Sequence, residues 1–118
     1  MKIERQHTRF ENTEPLSFLE LLRTPVWIFD IHAHAMWWGN GAALKFWKAR
    51  SVDELRARDF STDSDMVRHR LRQVFDNTLP GNHVSETWTL YPKDEPTHVI
   101  IDMSPITIAD GHDAIMIE

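Results

Sequence analysis

The chain contains no cysteine. That excludes disulfides, thiolate metal ligands, thiol catalysis and a flavin held as a cysteinyl adduct. It also lacks any apolar run near the ~20 residues of a membrane-crossing helix, and its opening stretch, MKIERQHTRFENTE, has no apolar signal-peptide centre. Basic residues are the minority: 13 Lys and Arg stand against 18 Asp and Glu, a formal charge of −5. A nucleic-acid partner would call for a basic patch or stripe, so that class is set aside together with direct membrane insertion. The expectation is a soluble, cytoplasmic domain. What the chain does have is material for a core, with five Trp, six Phe and five Met in 118 residues. That suffices for one domain without disulfides or metals. The last residues, AIMIE, stop within a strand-like apolar run, which suggests a fragment of a longer protein; the alternative is a complete small protein ending on a strand.

The stretch FDIHAHA, residues 29–35, raises the question of a metal-dependent hydrolase. Two imidazoles at alternate strand positions can share one divalent ion. The remaining ligands of such a site come from the strand ends of a barrel of about 250 residues, far more than this chain has. His69, His83, His98 and His112 form no second tight pair. His32 and His34 are therefore expected in a solvated turn, with no metal.

Hydrophobic periodicity orders the chain. Residues 1–13 read as a flexible polar leader. EPLSFLELLR, 14–23, places Leu16, Leu19, Leu22 and Phe18 at helical spacing, with Thr13 as N-cap and Pro15 in the first turn, predicting an amphipathic helix. VWIFDI and MWWGN read as two strands about the HAHA turn, and GAALKFWKA as a helix. SVDELRARDFS carries a capping-box pattern from Ser51 to Glu54. In the longer helix that follows, Leu71, Val74, Phe75 and Thr78 share one face and His69 points away from it. HVSETWTLYP, THVIIDMSPITI and HDAIMIE are three further strand candidates, parted by KDEP and ADG. The sum is an α+β domain, 24–118, with a five-stranded antiparallel sheet, helices on one face and the other face free for a partner.

On the residues VWIFDIHAHAMWWGNGAALKFWKARSVDELRARDFS and ETWTLYPKDEPTHVIIDMSPITIADGHDAIMIE, the chain resembles the PAS domains, small sensory modules. An acidic residue, Asp30, ends the first strand, and Asn40 closes the second; Gly41 departs from the proline or bulky polar residue common at that helix start. The resemblance implies a module upstream of a C-terminal signalling output such as a diguanylate cyclase or histidine kinase, regulatory and not itself an enzyme. It also implies a homodimer paired through the N-terminal helix, here through Leu16, Leu19 and Leu22.

It further implies a pocket between the sheet and the short helices. Residues placed to line it are Trp27, Phe29, Trp38, Asn40, Leu44, Trp47, Arg58, Glu86, Trp88, Leu90, Ile101 and Met103. On the third predicted strand, alternation puts Val84, Glu86, Trp88 and Leu90 on one face. If that face is inward, Glu86 needs a partner, for which Arg58 is the candidate; if outward, Glu86 is solvated. Haem is disfavoured because its ligand would have to be the outward-facing His69. A noncovalent ligand remains open, with the tryptophans as walls. Two other classes stay in view: a small cone-shaped enzyme using an Asp–His pair that includes Asp30, and a ligand-free interaction module.

Overall fold

The computed structural model describes residues 6–118. Its sheet has six strands: β1 (Arg9–Phe10), β2 (Trp27–Asp30), β3 (Ala35–Gly39), β4 (Val84–Leu90), β5 (Thr97–Ile108) and β6 (Asp113–Ile117). Between β3 and β4 lie three helices, α1 (Gly41–Trp47), α2 (Val52–Ala57) and α3 (Asp65–Asn77). β3, β2, β6, β5 and β4 pair in that order and antiparallel, which is the expected five-stranded sheet. The addition is β1, which pairs parallel with the end of β5 through Arg9 and Phe10. Residues 9 and 10 therefore belong to the fold and not to a leader; residues 1–5 of that leader lie outside the described part.

The helices start where short polar side chains can accept from free amides. Ser51 Oγ accepts from the Glu54 amide at 3.1 Å, while the Glu54 carboxylate reaches back one residue further than a capping box, to the Arg50 amide at 2.7 Å. Ser64 caps α3, whose Leu71, Val74 and Phe75 are buried and whose His69 is exposed. Asn40 joins β3 to α1. Its Oδ1 accepts from the Val26 and Ala43 amides, and its Nδ2 donates to the Leu19 and Thr24 carbonyls, all within 3.1 Å and with no solvent exposure.

Both faces of the sheet are covered. Under the helices, Trp27, Phe29, Met36, Trp47, Leu55, Leu71, Ile101, Met103 and Ile117 form one apolar cluster. On the opposite face, Val26, Ile28, Trp38, Ile106, Ile108 and Ala114 form a second, closed by Leu16. This corrects the expectation of a free sheet face. The segment Glu14–Leu21 that closes it is a 3₁₀ helix instead of an α-helix, without a side-chain bond from Thr13. Leu16 is 2% exposed, so it is a core residue and not a dimer contact. Leu19 is half-buried in the same cluster and Leu22 is exposed, together with Phe18 and Leu21.

Candidate functional site

Strand alternation sends Trp27 and Phe29 of β2, Trp88 and Leu90 of β4, Ile101 of β5 and Ile117 of β6 toward the helices. Above them stand Trp47 at the end of α1, the stretch from Arg58 to Ser64, and Val67 and Leu71 of α3. Between these layers is a cavity of about 670 Å³, within the range of small-molecule sites. Its aromatic rings lock one another edge to face: Trp27 on Trp47 at 5.6 Å, Phe29 on Phe60 at 5.6 Å and Trp47 on Phe60 at 6.0 Å between centroids. Such pairs fix ring orientation, each contributing about 0.5–1.5 kcal/mol beyond burial.

Arg58 closes one side. It donates through Nη1 to the carbonyls of Trp47 and Pro92 and through Nη2 to that of Lys48 at 3.0 Å, with Glu54 3.5 Å away. The carbonyls at the end of α1 have no helical partners, and a guanidinium fork satisfies two of them while carrying the charge that a helix C-terminus favours. The same fork ties α1 to the β4–β5 connection.

The hairpin between β2 and β3 supplies two His–Asp contacts, and they lie apart. Asp30 Oδ1 accepts from the amides of His32 and Ala33, and its Oδ2 meets His112 Nδ1 at 2.8 Å. That hydrogen bond holds the His112 pKa above the ordinary imidazole value. His34 takes a left-handed backbone, φ 54°, which turns the chain and buries its ring against Phe29. His34 Nε2 lies 2.8 Å from Asp63, a cavity-lining residue. His32 instead packs on His112, ring centroids 4.2 Å apart. The two histidines of HAHA thus serve different carboxylates, and neither Asp30 nor His112 lines the cavity, so the Asp30 pair does not meet the geometry of a pocket enzyme.

Seven of the residues expected at the pocket line it: Trp27, Phe29, Trp47, Arg58, Trp88, Leu90 and Ile101. Five do not. Trp38 is on the other face of the sheet, because the register of β2 with β3 shifts between Ile28 and Phe29 and this bulge turns Trp38 to pair with Ile28. Asn40 is consumed by its four backbone bonds, and Leu44 and Met103 are packed in the surrounding core. Glu86 is on the inward face, yet it bonds Trp88 Nε1 at 2.8 Å and pairs with Arg70 of α3, so its partner is not Arg58. Residues not foreseen include Met36, Phe60, Asp63, Tyr91 and Asp94. Period-two alternation could have found Met36 once the bulge was known; the others sit on loops, where no period exists.

Two buried side-chain nitrogens have no hydrogen-bond partner among the described residues, His7 Nδ1 and Trp47 Nε1. The latter belongs to a cavity-lining residue.

No family model and no curated protein matches the sequence. Solved structures do. The PAS domain of nitrogen regulation protein NR(II) from Vibrio parahaemolyticus superposes with a TM-score of 0.60 at 18% identity, over 89% of this chain and 96% of that one. A domain of a sensory box sensor histidine kinase/response regulator from Geobacter sulfurreducens gives 0.53 at 18% identity, over 91% and 99%. An RNA-binding Light-Oxygen-Voltage receptor gives 0.57 at 14% identity, over 90% of this chain and 33% of the receptor. Strand order, helix placement and these superpositions agree: the chain has the PAS-domain fold.

Proposed function

We propose that this chain is a cytoplasmic sensory module in which a small molecule entering the cavity biases the pairing or output of an attached signalling domain, a diguanylate cyclase or a histidine kinase. The observation that carries the reading is the aromatic-walled cavity of about 670 Å³ between sheet and helices. A ligand shifts such a module only by binding one arrangement better than another. The exposed Phe18, Leu21 and Leu22 beside the back-face cluster support pairing of two copies through this segment, with Leu16 holding it to the sheet. Native mass spectrometry, beside the denatured mass and the absorption spectrum, tests the reading. A bound small mass or a chromophore is expected. A bare protein that also gains no mass from a metabolite extract overturns ligand sensing.

A further inference from the structure

The two long edges of the sheet differ. β3 carries the bulge, and its Gly39 lies against Leu55 of α2. β4, at the opposite edge, is regular over its seven residues, from Val84 facing Met103 to Leu90 facing Thr97. It contains neither proline nor lysine, and its one charge, Glu86, is spent on Trp88 and Arg70. Bulges, prolines and lysines are what ordinarily keep an edge from pairing, and β4 has none of them. Among the described residues its strand partner is β5 alone, and no backbone hydrogen bond reaches it from another element.

The mouth of the cavity runs beside that edge. The lining residues that are exposed fall on two segments: Asp59, Thr62 and Ser64 after α2, and Thr89, Tyr91 and Asp94 at the end of β4 and just beyond it. Trp88 and Leu90 line the cavity, whereas Val99 and Thr97, which face them on β5, do not. The cavity therefore opens on the outer side of β4. An extended chain laid along this edge sends every second side chain toward the aromatic interior, which is how strand addition combines main-chain pairing with a side-chain pocket.

Charge selects among such chains. Asp59 and Asp94 stand exposed at the mouth, one on each segment. The nearby cations do not offset them: Arg58 is spent on three backbone carbonyls, Lys48 pairs with Glu95, and Lys93 does not line the cavity.

Resting on the reading of the cavity as a binding site, we propose that a partner protein docks here by strand addition. An extended segment pairs with the free edge of β4 at residues 87–91, inserts one large apolar side chain into the cavity and sets basic residues beside Asp59 and Asp94.

Matched heptapeptides test this on the wild-type chain: acetyl-TKVFVKT-amide, the same peptide with its Phe changed to Ala or both Lys to Glu, and two versions N-methylated on alternate amides. Binding is read from backbone ¹H–¹⁵N resonances and from intermolecular proton contacts. The parent peptide is expected to shift the amides of residues 87–91 and to place its Phe ring against Trp88 and Phe60. The Ala and Glu versions should each bind at least about tenfold more weakly, the first losing its anchor and the second meeting like charge. One N-methylated version should lose at least about tenfold more affinity than the other, because only alternate amides face β4. Equal effects of the two methylation patterns, or binding that leaves β4 unshifted, overturn the proposal. If no peptide binds but native mass spectrometry finds a bound small mass, strand addition falls and the small-molecule reading stands. If both are silent, both fall.

Discussion

Asn40 shows how much of this fold hangs on one side chain. Its amide is fully buried and spends two acceptor and two donor bonds on four different backbone groups, which fixes the N-terminal segment, β2 and α1 relative to one another. Asn40→Ala strands those groups away from water and is expected to cost about 2–4 kcal/mol in urea unfolding, several times what a surface change does. Asn40→Asp should be no better, because a carboxylate offers nothing to the carbonyls of Leu19 and Thr24. His112 is the residue whose titration is most readable. Its bond to Asp30 raises its pKa above the usual 6.5, so this contact favours the fold fully below the unfolded value and is lost as pH rises through the folded one. A proton NMR titration should therefore give His112 a pKa above the ordinary imidazole value, and Asp30→Asn, which keeps the turn acceptor but loses the charge, should lower it.

Among the elements, β5 was readable to its ends, since THVIIDMSPITI is rich in β-branched residues and is bounded by turn residues, although Pro105 and Ile106 are both buried and break the simple alternation. The burial face of α3 was equally legible from Leu71, Val74 and Phe75. The misreadings have physical causes. A 3₁₀ segment and an α-helix share the same apolar spacing over two turns, so LSFLELL could not distinguish them, and nothing local told that Leu16 would be drawn onto the sheet. Trp37 and Trp38 are alike in chemistry, and only the pairing register decides which one is the extra residue of a bulge. Glu86 was placed among its possible faces by alternation, but its partner Arg70 comes from another element, which spacing cannot reveal. The bulge gives a test. Deleting Trp37 should restore an unbroken ladder in which Met36 still faces Phe29 and Trp38 still faces Ile28, so that only the ring of Trp37 is lost from beside the back-face cluster. The loss should stay below the about 3–5 kcal/mol of removing a fully buried aromatic, read as a modestly lower midpoint in denaturant with the emission of the buried Trp38 retained.

The whole molecule stacks three layers, with the N-terminal 3₁₀ segment behind the sheet and the helices and cavity in front. A segment that reads as an appendage is then part of the core: Leu16→Ala is expected to cost about 2–5 kcal/mol by equilibrium unfolding, whereas Leu21→Ala, 86% exposed, should cost almost nothing. The charge of the chain adds little to this ledger, because most ion pairs, such as Arg72 with Asp76 and Asp113, are at the surface. The sheet itself has a further property. Trp27 faces the cavity while its neighbours Val26 and Ile28 face Leu16, so the two compartments are separated by a wall a single backbone thick. Such a wall is a partition and not a foundation. Close-packed interiors have little slack, so whatever widens the front room leans on the furniture behind it, and the segment glued to the back of β2 feels the load without any signal having to travel along the chain.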